Sequence, residues 1–318
     1  MRNATQVLEP ETAVGFKRIL LATDFSDTSR RAMGYAAELA RQYGSELFVV
    51  HVLPAVREAI PMEPLPREMN VSLVDAEERM KALGESIPDT KHHLLVEQGP
   101  AAQVLSRLVQ DEDIDLLVVG THGRSGVKKL ALGSVAEEVS RRVDCPVLTV
   151  GCKTPCPAHT EPTFHRILFA TDFGAGAVRA VPLVAGLAER YGSRLILLHM
   201  VTPLPMVDSG VAAYGSYGVP GYLSEDAAKW EEDRKRESVS KLLQTLPTGT
   251  KLAHEPEYVV GAERAPEGIL LAAATRNVDL IVMGVHRTAS PGAVARLPWA
   301  VAHHVISKAK CPVLTVRS

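Results

Sequence analysis

The chain has 318 residues, of which 46% are hydrophobic and 23% are charged, with a formal net charge of -2 and 5% aromatic residues. This length accommodates two domains of ordinary size, each with its own core. The near-zero charge and the scarcity of aromatic residues exclude a typical nucleic-acid or membrane-surface binder, so we expect neither partner. No apolar run approaches the ~20 residues that span a bilayer. The N-terminal segment lacks a signal-peptide core, which predicts a cytoplasmic protein.

Short apolar strands alternate with amphipathic helices along the first half of the chain. The predicted strands are 18–22, 46–53, 92–97, 115–119 and 147–150. The predicted helices are 27–43, 71–87, 101–111 and 134–143. Strands and helices in this order predict a parallel sheet that has helices on both faces.

The fourth predicted strand runs into a glycine-rich segment that contains Gly120, Gly123, Gly133 and Ser134. Glycines allow backbone N–H groups to approach an anion closely, and the helix that follows adds the positive end of its dipole. Ser134 is placed either to cap this helix or to donate its hydroxyl to a phosphate. The segment therefore predicts a phosphate site, although glycines that serve only tight turns are the alternative.

The second half of the chain repeats the first. The opening segment 16–26 recurs as 164–174, and the closing segment 145–150 recurs as 311–316. Internal similarity on this scale indicates two copies of one structural unit. We therefore predict domains at 1–151 and 164–318, joined by a proline-rich linker at 152–163.

The glycine spacing differs from the Walker A loop and from the dinucleotide fingerprint. Together with the strand before it and the helix after it, it is similar to the Gly-x2-Gly-x9-Gly-Ser/Thr signature of ATP-binding universal stress proteins. The resemblance extends over nearly the whole tandem chain. It implies two Rossmann-like domains of the adenine nucleotide alpha hydrolase type, each a five-stranded parallel sheet of order 3-2-1-4-5. Ligands of such sheets bind at the carboxyl ends of strands 1 and 4.

The resemblance implies that the first domain binds ATP or ADP. The predicted nucleotide-binding residues are Ala22, Thr23, Asp24, Val52, Val119, Gly120, His122, Gly123, Arg124, Gly133, Ser134 and Val135. Asp24 fits a contact to adenine, ribose or Mg²⁺, but also a cap on the first helix. Val52 fits both an adenine contact and the core. His122 and Arg124 fit either a phosphate contact or an exposed loop.

The second copy departs from this signature. Gly284 is retained, but Arg287 stands at the second glycine, Trp299 at the third and Ala300 at the serine. An indole would fill the space that a phosphate needs, and alanine has no hydroxyl. We therefore predict that the second copy does not bind ATP in the manner of the family.

The resemblance also implies that the fifth strands of the two copies, 147–150 and 313–316, pair within the chain as a pseudo-dimer, and a further homodimer is compatible with it. The leading functional hypothesis is a stress-response sensor or switch that binds ATP with little or no turnover. A slow ATPase or nucleotidyl-transfer enzyme, and a nucleotide-independent interaction module, are the alternatives. In the linker, Cys152, Cys156 and His159 could form a partial metal site, and the two cysteines could form a disulfide. The interpretation that we favour is that the two cysteines are simple thiols.

Overall fold

The computed structural model describes residues 15–54, 73–121, 132–155, 164–201, 221–285 and 297–318. The strands of the first repeat are β1 (Arg18–Ala22), β2 (Glu46–Leu53), β3 (His92–Gln98), β4 (Leu116–Gly120) and β5 (Val147–Val150). Its helices are α1 (Asp27–Tyr43), α2 (Leu73–Glu85), α3 (Ala101–Asp111) and α4 (Ser134–Arg142).

The second repeat has the same order of elements. Its strands are β6 (Arg166–Ala170), β7 (Arg194–Met200), β8 (Glu257–Gly261), β9 (Leu280–Val285) and β10 (Val313–Arg317). Its helices are α5 (Ala175–Tyr191), α6 (Gly221–Leu243), α7 (Ala265–Thr275) and α8 (Leu297–Lys308).

Local sequence signals fix the ends of the first helix in each repeat. The Ser26 side chain caps α1 by accepting the N–H of Ser29 at 3.2 Å. Gly44 ends α1 with a φ of 67°, and Gly192 ends α5 with a φ of 61°. Both lie in the left-handed region, where glycine carries no Cβ penalty.

All ten strands form one sheet in the order β3-β2-β1-β4-β5-β10-β9-β6-β7-β8. Within each repeat the pairs are parallel, and the order is that of the predicted 3-2-1-4-5 sheet. Apolar side chains from α1, α2, α5 and α6 cover one face, and those from α3, α4, α7 and α8 cover the other. The predicted fold class is therefore confirmed.

The two repeats join where β5 pairs antiparallel with β10, with Leu148 opposite Leu314. The Thr149 hydroxyl donates to the carbonyl of Val313 at 3.0 Å across this junction. On one face of the sheet, the rings of Tyr35 and Phe164 stack with centroids 6.1 Å apart. The predicted pairing of the two fifth strands is thus confirmed, and each covers the edge that the other would expose.

Candidate nucleotide site

A cleft opens at the carboxyl ends of β1 and β4, where the sheet order reverses direction. Counted with the solvent at its mouth, it measures about 860 Å³. We call it the first cleft. Its lining residues are Ala22, Thr23, Asp24, Ser29, Val50, Val52, Ala101, Leu105, Val119, Gly120, Gly133, Ser134, Val135 and Ala136.

A hydrogen-bonded turn after β1 holds Asp24 at the edge of this cleft. Its carboxylate Oδ1 accepts the N–H of Ser26 at 3.1 Å, while Ser26 rather than Asp24 caps α1. The buried Thr23 hydroxyl accepts the N–H of Phe25 at 3.1 Å and donates to Ser29. Asp24 thus supports the turn, and its carboxylate lines the cleft.

The next residue, Phe25, adopts a φ of 63°, which is a costly conformation for a side chain of this size. Its ring lies 4.5 Å from the ring of His51, centroid to centroid. His51 is buried, and its Nδ1 lies 2.7 Å from the carbonyl oxygen of Thr23. His51 is therefore structural, and it holds the strained turn in place.

The opposite wall of the cleft is the N-terminus of α4. Gly133 occupies the N-cap position and has no side chain with which to cap the helix, and Ser134 is the first helical residue. Of the two roles predicted for Ser134, the cap is thus wrong, and Ser134 is an exposed residue in the first turn of the helix. The N–H of Gly133 itself donates to the carbonyl of Thr121 at 2.6 Å. An uncapped helix N-terminus of this kind attracts anions.

Gly120 lies where α1 passes close to the end of β4. A Cβ at this position would lie 3.1 Å from Cγ2 of Thr28 and 3.3 Å from the backbone nitrogen of Ser29. Because it has no side chain, Gly120 lets the end of β4 pack closely against the first turn of α1.

The structure therefore brings nine of the predicted site residues to one cleft. His122, Gly123 and Arg124 lie outside the described residues. Ser29, Val50, Ala101, Leu105 and Ala136 also line the cleft but were not predicted. Alternation along β2 places Val50 on the same side as Val52, which is the sequence signal that identifies it.

The second repeat forms a cleft at the corresponding place, between β6 and β9. It measures about 520 Å³ by the same reckoning, and we call it the second cleft. Its lining residues are Ala170, Thr171, Asp172, Leu198, Met200, Ala265, Ile269, Met283, Gly284 and Val301.

The turn after β6 reproduces the turn after β1. Asp172 Oδ1 accepts the N–H of Gly174 at 2.8 Å, and Phe173 has a φ of 60°. The ring of His199 lies 4.5 Å from that of Phe173, and its Nδ1 lies 2.8 Å from the carbonyl oxygen of Thr171. Burial lowers the pKa of His199, although the bond to Thr171 and the charge of Asp172 oppose the shift.

Two further observations bound the chemistry of the described residues. None of their helices is long and apolar enough to cross a membrane. They also contain no cluster of three His, Cys, Asp or Glu side chains suited to a metal ion. Cys156 and His159, two of the three linker candidates, lie outside the described residues.

Comparison with known proteins places the fold in one family. A family model described as the universal stress protein family matches residues 15–151 and again residues 163–317. A universal stress protein of Methanocaldococcus jannaschii is 30% identical over 144 residues, which cover 42% of this chain and 82% of that protein. A universal stress protein A homologue of Coxiella burnetii is 35% identical over 144 residues, which cover 43% of this chain and 98% of that protein.

A solved structure supports the same fold over the full chain. The crystal structure of a universal stress protein from Archaeoglobus fulgidus aligns with a TM-score of 0.63 at 19% identity, covering 94% of this chain and 96% of that one. The sequence relatives match single repeats, whereas this structure matches both together. Because the family model covers almost all of both repeats, the chain belongs to the universal stress protein family.

Proposed function

We propose that the first cleft binds ATP or ADP. The observation that carries this proposal is the uncapped N-terminus of α4, which faces the same cleft as the Asp24 turn. Phosphate groups bind helix N-termini because the first N–H groups lack partners and the helix dipole adds positive charge. Membership of the universal stress protein family, together with the glycine signature, favours an adenine nucleotide as the source of that phosphate.

The lining of the cleft suggests how such a nucleotide would lie. Val52 and Val119 form an apolar wall that suits the adenine ring, with Ala22 at the adjacent end of β1. The Asp24 carboxylate would accept hydrogen bonds from the ribose or the base, and the N–H groups of Ser134 and Val135 would receive the phosphates. We assign Gly120, His122, Gly123, Arg124 and Gly133 to the phosphate loop by their place in the signature. Thr23 acts by holding the turn.

We further propose that binding serves as a stress-response sensor or switch with little or no turnover, in the cytoplasm. The three described cysteines, Cys145, Cys152 and Cys311, are free thiols, as a reducing compartment maintains them. Mg²⁺ would accompany the phosphates, with the Asp24 carboxylate as its candidate protein ligand.

The first test is to denature the purified protein and to identify and count the released nucleotide by chromatography and mass spectrometry. We expect close to one ATP or ADP per chain. Two per chain would contradict the prediction that the second repeat does not bind ATP. None, with no binding after Mg-ATP is added, would refute the proposal. Steady release of ADP on incubation with ATP would favour a slow ATPase over a switch.

A pair of matched variants tests the assigned phosphate site. Ser134→Ala removes a hydroxyl from the first turn of α4, and we expect ATP affinity to fall about tenfold, the cost of one hydrogen bond to a charged group. Ala300→Ser makes the reverse change at the corresponding position of the second repeat. We expect this control to leave the nucleotide count unchanged. Equal affinities for Ser134→Ala and the unaltered protein would argue against phosphates at this helix.

A further inference from the structure

The second cleft differs from the first in the residues that would face a ligand ring. Strand pairing aligns Met200 with Val52 and Met283 with Val119, so two methionines replace two valines. Both methionines line the second cleft. Methionine is flexible and polarizable, and its sulfur makes favourable contacts with aromatic rings.

Two glycines make room for Met200. A Cβ at Gly268 would lie 2.2 Å from Cε of Met200, and a Cβ at Gly261 would lie 2.5 Å from the same atom. The first repeat has Val104 and Glu97 at the corresponding positions of α3 and β3. Smaller neighbours on β8 and α7 thus accommodate the larger side chain of Met200. The residue changes in the second cleft therefore compensate for one another.

The phosphate-binding features of the first cleft are absent from the described part of the second. α8 begins about one turn before the position that corresponds to the start of α4, and its first turn contains Pro298, which has no N–H to donate. Ala300 replaces the hydroxyl of Ser134. The described lining of each cleft contains one charged group, Asp24 in the first and Asp172 in the second, so the clefts differ in their helix N-termini rather than in their charge.

From these features we infer that the second cleft binds an uncharged aromatic heterocycle with hydrogen-bond donors, a nucleoside rather than a nucleotide. Met200 and Met283 contact the ring, and Asp172 accepts from the donors of the ligand while it holds the turn through Gly174. This inference goes beyond the proposed function, because it concerns a second ligand of a different charge class at a separate cleft.

The test uses the full-length protein labelled with [methyl-13C]methionine and titrated with adenosine in the presence of saturating Mg-ATP. The methyl resonances of Met200 and Met283 are assigned from the variants Met200→Leu and Met283→Leu. We expect adenosine to shift both resonances by ring currents and ATP to shift neither. Because the corresponding residues of the first cleft are valines, this readout is blind to binding at that cleft.

Matched aspartate variants locate the binding further. We expect Asp172→Asn to weaken the effect of adenosine on the methionine resonances about tenfold, since it removes a charge-assisted acceptor. Asp24→Asn, the same change in the first cleft, should leave these resonances and their response unchanged. No shift of either methionine up to the solubility limit of adenosine would overturn the inference. So would an equal response to ATP, because the cleft would then accept phosphates. Neither outcome depends on the nucleotide count at the first cleft.

Discussion

Gly120, the last residue of β4, and Gly284, the corresponding residue near the end of β9, differ sharply in the space around them, and alanine substitutions should separate them. A Cβ at Gly284 would lie 2.1 Å from the backbone nitrogen of Ala177 and 2.3 Å from the carbonyl carbon of Gly176. The corresponding contacts of Gly120 are 3.1 Å and longer, and the closest is to a side chain. Gly284→Ala therefore requires backbone atoms of α5 to move. Gly120→Ala first requires a shift of the Thr28 methyl group.

These distances set the expected free energies. Overpacking a core position costs about 1–3 kcal/mol and occasionally more, so Gly284→Ala should destabilise the protein by about 3 kcal/mol or more. For Gly120→Ala we expect about 1 kcal/mol at most, because the loss of chain entropy in the unfolded state returns about 0.4–1 kcal/mol. At about 2–4 °C per kcal/mol for a domain of this size, Gly284→Ala should lower Tm by roughly 6–12 °C.

Urea unfolding provides a suitable assay. Both tryptophans of the chain, Trp230 and Trp299, belong to the second repeat, so their fluorescence follows that repeat while far-ultraviolet circular dichroism follows both. We expect Gly284→Ala to lower the fluorescence midpoint strongly, and Gly120→Ala to change it little. A midpoint for Gly284→Ala within error of the unaltered protein, or a larger loss for Gly120→Ala, would refute the packing argument.

Two further predictions concern titratable groups. Burial raises the pKa values of Cys145 and Cys311 to about 12, whereas Cys152 is exposed, so Cys152→Ser should remove one fast-reacting thiol from a native-state thiol assay and Cys311→Ser none. Fast labelling of Cys311 would contradict this. Burial lowers the folded-state pKa of His199 below its ordinary value of 6.5, so the unfolded chain takes up the proton first. The contribution of His199 to the free energy of unfolding should be fully present above its ordinary pKa of 6.5. It should be lost as the pH falls through the folded-state pKa. His199→Gln should flatten this part of the urea-midpoint profile, and an unchanged profile would exclude His199 as its source.

Much of the architecture follows from local sequence signals. Gly44 and Gly192 end the first helix of each repeat where a left-handed residue is required, and the apolar runs at β1 and β4 define the strand ends that flank the first cleft. The predicted start of the fourth strand at Asp115 is one residue early. The Asp115 carboxylate instead accepts the backbone N–H of Lys17 at 2.7 Å, which ties β1 to the loop before β4.

Other features depend on contacts between residues far apart in the chain. Phe25 and Phe173, whose backbone is strained, each pack against a histidine from the next strand, a contact that the local sequence does not predict. The adaptation of the second cleft to Met200 likewise appears only when Gly261 and Gly268 are seen beside it. Comparing the repeats residue by residue reveals the substitution, but its compensation is visible only in three dimensions.

The antiparallel pairing of β5 with β10 changes how this protein responds to dilution. Two separate chains joined by such an edge would dissociate as their concentration falls, and their stability would depend on abundance. Here the partners share one polypeptide, so association is governed by a fixed effective concentration. The ten-stranded sheet should remain assembled in a cell that holds only a few molecules. The two unlike clefts are then always present in a one-to-one ratio, whatever the level of expression.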